Sequence, residues 1–365
     1  MTRRLLAGTA ATAVVAASLT ALGMAAPAAA CACGAPTPPD GMSVSVGEER
    51  ALVAFDGTIE RIDMVLDMLA DGADTGLVVP TPTPATVSLG EASIFDALER
   101  QTRPKVETVE DWWGGLGDGA TAGAPPEVLS EVDLGPITAV TLAASDAAGL
   151  QAWLVANGYG IDPAVQALFA DYIDRGWSFA AFKLDAGADE AAEPAADGEG
   201  GADEADAPVL SGELDPVRFE FATTEIVYPL LLSQAASTPQ TVRLYVFGDD
   251  AMQAAFPEGT SVGQVAWAGG VDEPVLAQFG EYLTVLEAYF PDPAGQILGD
   301  LTITSRGERA DYTPVEQRTK YVEIAGIPLG VAIAGVAAVF GVMILIVIVG
   351  GIVHRSAEKR RRRVW

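Results

Sequence analysis

Few residues in this 365-residue chain could carry chemistry, and their spacing limits what that chemistry could be. There is one histidine, His354, and there are two cysteines, Cys31 and Cys33, against 50 aspartates and glutamates. Gly259-Thr260-Ser261-Val262-Gly263 matches the G-x-S-x-G pattern of a nucleophilic serine. Such a serine needs a base, and His354 stands directly behind a long apolar run, remote from everything a soluble site would use. A Ser-His-Asp, Cys-His or histidine–metal centre is therefore excluded in the soluble part of the chain, and Ser261 reads as a chance match. Lys105 and Lys183 are formal partners for a Ser-Lys pair, but no spacing recommends either.

Glycoside hydrolysis needs two carboxyl groups and no histidine. With so many acidic residues, pairs arise by abundance alone. Asp111-Trp112-Trp113 is the most suggestive place, because indole rings stack on sugars. Trp112 and Trp113 are thus the candidate ligand-contacting aromatics, against the plainer reading that they pack over the base of a loop. No phosphate-binding or dinucleotide fingerprint occurs, and the glycine-rich run Gly114–Gly119 opens no recognisable helix. Cys31 and Cys33 sit too close for an unstrained ring, and two thiols without a histidine do not complete a tetrahedral metal shell. Lipid modification of Cys31, a local disulfide and pairing between chains all stay open. The expectation is no catalytic, cofactor or metal residue.

The elements that would hold such groups are arranged around a membrane. Ile324–Val353 contains no Asp, Glu, Lys or Arg and exceeds the roughly 20 apolar residues needed to cross a bilayer. His354-Arg355, Lys359 and Arg360, Arg361, Arg362 and Arg363 follow. Residues 1–30 read as a signal peptide: Arg3 and Arg4, an apolar Leu5–Leu22, then Ala28-Ala29-Ala30. Together with the positive-inside rule this predicts a type I single-pass protein of the cell membrane. Residues 31–306 form the extracellular domain, 307–323 a stalk, 324–353 the transmembrane helix and 354–365 a cytoplasmic tail. The arginines 360–363 anchor the tail on anionic lipid. Gly326, Gly330, Ala334 and Ala338 recur on one helix face and permit a weak homodimer. The net charge of -29, more negative still once both basic ends are set aside, argues against nucleic acid as a partner.

Within the domain, Arg50–Phe55 reads as a strand and Asp56-Gly57 as a hairpin turn, with Ile62–Leu69 compatible with either strand or helix. Glu91–Thr102 has helical spacing and stops before Pro104. Ile137–Leu142, a helix capped by Ser145 or Asp146, a second helix opened by Asp162-Pro163, and Trp177–Leu184 form a β-α-α-β unit. Asp185–Glu213 is acidic and small-residue rich, so it is expected to be a disordered insert. Strands are expected at Val217–Phe221, beside Phe182–Leu184, and at Ile226–Leu232, Thr241–Phe247 and Leu298–Ser305. A helix is expected from Glu273 to Phe290. The mixture without strict alternation makes the domain α+β.

Several of these segments, in this order, resemble a bacterial family of secreted proteins known as domain of unknown function 2330. They are the signal closing on Cys31 and Cys33-Gly34, Arg50–Asp56, and Leu77-Val78-Val79-Pro80-Thr81-Pro82. Ile94-Phe95 to Leu98, Thr102-Arg103-Pro104 and Leu150–Tyr159 with Trp153-Leu154 and Asn157-Gly158-Tyr159 follow. Phe179–Leu184 with Lys183, Pro216–Phe221 and Tyr228-Pro229 close the series. The resemblance spans most of residues 31–305 and implies an exported, membrane-tethered domain with no assigned activity. The function expected is binding or structural, with the lipid bilayer and a cell-wall or envelope component as partners. A histidine-independent carbohydrate-active hydrolase using paired carboxylates is the alternative.

Overall fold

The computed structural model describes residues 34–37, 44–70, 74–111, 138–144, 146–185, 210–213, 215–324 and 327–361. The chain divides into two compact units. One comprises Met1–Thr102 and Val128–Tyr312, and the other Arg103–Glu127 and Thr313–Trp365.

The first unit starts with β1 (Ala35–Thr37) and a long hairpin, β2 (Val44–Phe55) and β3 (Ile59–Ala70). Asp56-Gly57 turns that hairpin as predicted: Gly57 has φ 95°. The Asp56 carboxylate accepts from the N–H of Ile59 at 2.7 Å and of Thr58 at 2.8 Å. These two bonds hold its pKa below the ordinary value. The ambiguous stretch Ile62–Leu69 is strand, with Ile62, Met64 and Leu66 in one core and Val65 in the core on the opposite face. Next come β4 (Asp74–Thr81), β5 (Thr86–Leu89) and α1 (Ala92–Gln101). Helix α1 buries Ile94, Phe95, Ala97 and Leu98 and ends where the Thr102 hydroxyl donates to the Leu98 carbonyl at 2.8 Å. The strand β6 (Lys105–Asp111) belongs to the second unit.

The expected β-α-α-β unit is present as β7 (Thr138–Ala143), α2 (Ala147–Ala156), α3 (Pro163–Asp174) and β8 (Ser178–Asp185). Asp146 caps α2 by accepting from Gly149 N–H, and Asp162 caps α3 by accepting from Ala164 N–H, each at 2.7 Å. The chain continues through β9 (Leu210–Glu213), β10 (Val217–Ala222), β11 (Ile226–Tyr228) and a 3-10 turn at Leu231–Ala235. It closes with β12 (Gln240–Gly248), β13 (Met252–Ala255), β14 (Ser261–Val262), β15 (Gln264–Gly270), β16 (Tyr282–Phe290), α4 (Pro293–Gln296) and β17 (Leu301–Ser305).

The largest sheet has the order β15-β16-β12-β2-β3-β10-β5, with β9 on the far end of β3. Its neighbours are antiparallel except β12 and β2, which run parallel. One face packs against the sheet β11-β17-β13-β14 and the inner side of β1-β4-β8-β7, burying Val53, Met64, Phe219, Leu244, Ile303 and Phe182 together. The other face is covered in part by α1 and the loop at 271–281, with Leu52, Tyr245, Phe247 and Leu283 beneath. Helices α2 and α3 cover the outer side of the β4–β8 sheet, around Phe169, Tyr172 and Phe179. Mixed sheets with few helices make the domain α+β.

Four expectations change, three of them in this unit. Glu273–Phe290 is no helix: its first part is turns, Gly280 breaks the run, and Tyr282–Phe290 is a strand with residues buried on both faces. Apolar residues on both faces of a central strand imitate helical spacing. Phe182–Leu184 and Val217–Phe221 are not paired in one sheet, since β8 pairs with β4 and β7 while β10 extends the β2–β3 hairpin; they meet face to face through Phe182 and Phe219, with ring centres 5.9 Å apart. The acidic stretch is bounded more tightly than its composition suggests. Asp185 ends β8, Leu210–Glu213 pair with Asp67–Ala70, and residues 186–209 lie outside the described residues.

In the second unit β6 pairs in parallel with β18 (Val315–Tyr321), from Lys105 opposite Val315 to Asp111 opposite Tyr321. The hairpin β19 (Glu323–Ile324) and β20 (Ile327–Pro328) then leads into α5 (Leu329–Arg361). The apolar helix thus begins at Leu329, directly after Pro328, and not at Ile324. Its segment Leu329–Ser356 is long and apolar enough to cross a membrane, and none of its most apolar stretch is buried.

Candidate functional site

The residues singled out from the sequence fall on different elements, and several lie outside the described residues. His354 lies in α5, while Ser261 is exposed on the two-residue strand β14, paired with Ala255. No strand–turn–helix elbow surrounds that serine, and Lys105 and Lys183 sit on β6 and β8, neither of which pairs with β14. Trp112, Trp113, Cys31 and Cys33 lie outside the described residues, as do Gly326, Arg362 and Arg363. Gly330, Ala334 and Ala338 are in α5, and Arg360 and Arg361 are its last two residues.

What does converge is a set of buried acidic groups on one short segment, Val227–Leu231. The Val227 N–H donates to Glu60 Oε2 at 3.0 Å. The Tyr228 hydroxyl donates to Glu49 Oε1. The N–H groups of Leu230 and Leu231 donate to Asp300 Oδ1 at 2.8 and 2.9 Å. Asp300 Oδ1 also accepts from the Tyr172 hydroxyl at 2.6 Å, and Oδ2 lies 2.8 Å from Arg175 Nη1, an ion pair without hydrogen-bond alignment. The Arg175 guanidinium stacks on Tyr172 and Trp177, 4.5 and 4.4 Å from their ring centres. Burial, and the Asp300 carboxylate beside it, push the Tyr172 phenol well above its ordinary pKa.

Glu60 differs from the others. Its Oε1 is buried without a hydrogen-bond partner. Burial raises its pKa well above the ordinary value, the Val227 N–H offsets part of that, and Glu225 adds to it. The group therefore favours its neutral form. Asp63, fully buried, accepts from two guanidinium forks: Arg61 donates at 2.9 and 2.7 Å, and Arg218 at 2.9 and 3.2 Å. Each of these four acids serves the packing of its own neighbours.

A cavity of about 200 Å³ opens beside α2. It is lined by Leu142, Ala144, Gly149, Leu150, Trp153 and Asp146, the last already engaged as the α2 cap. Trp153 stacks on Tyr159, with ring centres 6.1 Å apart. No pair of carboxyl groups lines this cavity, so the paired-carboxylate chemistry has no geometry to rest on here. Among the described residues no cluster of three or more metal-ligating side chains occurs.

A family model, "Uncharacterized protein conserved in bacteria (DUF2330)", matches residues 27–304. The chain belongs to this family. No curated protein and no solved structure matches it. The DUF2330 match ends inside β17, so Glu49, Glu60, Asp63 and Asp300 all fall within it while β18 and α5 fall beyond it. The sequence marks Tyr228-Pro229 but not the acids that hold this segment. Glu60 and Asp63 share β3 with Arg61 and Asp67, and Glu49 stands between Glu48 and Arg50, so nothing in the sequence sets these acids apart.

Proposed function

We propose that this DUF2330 protein is a bacterial envelope protein of binding or structural type. Residues 1–30 direct export, α5 anchors the chain in the cell membrane, the acidic domain stands outside, and the basic tail remains in the cytoplasm. The observation that carries this reading is α5. Its apolar length suits a bilayer, its side chains are exposed rather than packed into a domain, and Arg355, Lys359 and four further arginines stand at one end. A binding or structural role is supported by the described buried acids Glu49, Glu60, Asp63 and Asp300, which hold neighbouring segments of the fold together.

The test is fractionation of cells making the full chain. Alkaline extraction should leave the protein in the membrane pellet, and protease added to intact cells should remove the domain while sparing the tail. Release by alkali would refute the anchor, and complete protection from protease would reverse the orientation.

A further inference from the structure

The strand β6 (Lys105–Asp111) comes early in the chain, yet register carries it to the foot of the apolar helix. It runs parallel with β18, so its last residue, Asp111, stands opposite Tyr321. One residue on, the Val322 carbonyl accepts from the Leu329 N–H at 2.8 Å, and Leu329 is the first residue of α5. The hairpin β19–β20 leaves and returns between these two residues, so the chain enters α5 beside the place where it left β18. With strands about 4.8 Å and successive Cα atoms about 3.8 Å apart, the end of β6 is within roughly 15 Å of the start of the helix.

Helix length sets the depth of that junction. The 25 residues Leu329–Val353 contain no charged side chain, and Arg355 follows closely. At 1.5 Å per residue they span about 37 Å. A hydrocarbon core is about 30 Å thick, and its headgroup layers bring the bilayer to about 40–45 Å. With the usual tilt of about 20°, seating the basic end of α5 at one boundary leaves Leu329 about 5 Å beyond the other, among the headgroups. Val322 is held at that level by its bond to Leu329.

The residues at this level match such a layer. Ile324 and Ile327 are cross-strand partners, 59 % and 48 % exposed, beside the Glu323–Pro328 pair. Apolar side chains next to the end of a span gain by reaching the acyl boundary. On the ribbon, Glu316, Arg318 and Lys320 stand opposite Val106, Thr108 and Glu110, so both signs of charge meet a layer that carries phosphate and ammonium groups. A two-stranded ribbon is marginal by itself in water, so a supporting surface is called for.

We infer that the β19–β20 hairpin and the adjoining end of the β6–β18 ribbon form a binding surface for the phospholipid headgroups of the bilayer that α5 crosses. The chain then touches the membrane twice, through its anchor and through a strand remote from it in sequence. This rests on the reading of α5 as a membrane anchor, and continuity with α5 is what names the occupant. The test uses the full-length protein carrying Cys31→Ser and Cys33→Ser, in nanodiscs of phosphatidylcholine. Lys105→Cys, Glu107→Cys, Glu110→Cys or Val342→Cys is added singly and labelled with a fluorophore, and nitroxides on the lipid headgroup or mid-chain act as quenchers. Val342, in the middle of α5, should respond to the mid-chain nitroxide. Positions 105 and 110 are about 16 Å apart along β6, more than one headgroup layer, so headgroup quenching should rise along the strand and be about twofold or more stronger at 110. Ile324→Asp with Ile327→Asp should lower quenching at 110 towards the value at 105, with the near-ultraviolet circular dichroism unchanged; if this variant loses its fold, the gradient along β6 decides alone. Quenching that does not rise along β6 while Val342 is still quenched would overturn the headgroup contact and leave the anchor standing. Quenching at 110 that the folded double variant leaves unchanged would overturn the role of the isoleucine pair. An unquenched Val342 would overturn the anchor and this surface with it.

Discussion

Glu60→Gln isolates the energetics of a buried acid that has one oxygen left without a hydrogen bond. Glu60 is fully buried, accepts from Val227 at Oε2 and leaves Oε1 unpaired. Its folded pKa is raised, chiefly by burial. Below the unfolded value, about 4.3 for a glutamate, both states hold the proton and the stability associated with it is fully present. As pH rises above that value the unfolded chain ionises while the folded chain keeps its proton, so stability is lost until the pH passes the folded pKa. Within this window the folding equilibrium moves by up to about tenfold per pH unit. Glutamine retains an acceptor for Val227 and never ionises. The variant should therefore match wild type near pH 4 and gain on it as the pH rises, until the raised folded pKa is passed. Thermal unfolding of the full chain in detergent, followed by near-ultraviolet circular dichroism, reads this directly, since about 1 kcal/mol shifts the midpoint of a domain this size by roughly 2–4 °C. All other carboxylates cancel in the difference. A constant difference across pH would refute the argument, and so would a variant that loses ground as pH rises.

Three further outcomes follow from the geometry. Asp63→Asn leaves the Arg61 and Arg218 guanidiniums without their shared counter-charge and should cost about 3–5 kcal/mol in denaturant unfolding; a loss under about 1 kcal/mol would mean that water replaces the carboxylate. Tyr172→Phe removes one bond to Asp300 while two backbone donors remain, so the cost should be about 1–2 kcal/mol. In the same variant the alkaline absorbance titration should match wild type until unfolding, because the Tyr172 phenol does not ionise in the ordinary range. Gly57→Ala has room for its methyl group but must hold φ near 95°, and should cost about 1 kcal/mol, measured by the same unfolding.

What was legible in the sequence was local. Asp56-Gly57, Asp146 before Ala147 and Asp162-Pro163 encode their turn and caps within a few residues, and the structure forms each of them. Family membership and the α+β class were legible for the same reason, as an ordered series of short segments. Tyr282–Phe290 failed because a central strand between two cores is apolar on both faces, which removes the alternation that would distinguish it from a helix. The acids around Val227–Leu231 could not be found at all by spacing. Glu49 and Tyr228 are 179 residues apart, and Glu60 and Val227 are 167 apart. Equally, the pairing of Asp111 with Tyr321 exists only once two strands from distant regions of the chain are in register.

Those separations also set a timetable. Strand β2 lies between β3, which follows it at once, and β12, which arrives nearly the whole domain later. A chain emerging from its N-terminus can pair the β2–β3 hairpin early, yet Glu49 and Glu60 then face water, and Glu60 is ionised at neutral pH. Closure of the main core must wait for Val227–Leu231 and for Asp300, and the burial it brings raises the Glu60 pKa. Non-local pairing of this kind is slow and leaves strand edges open meanwhile. The nascent domain therefore depends on being kept apart from its neighbours until nearly all of it has been made.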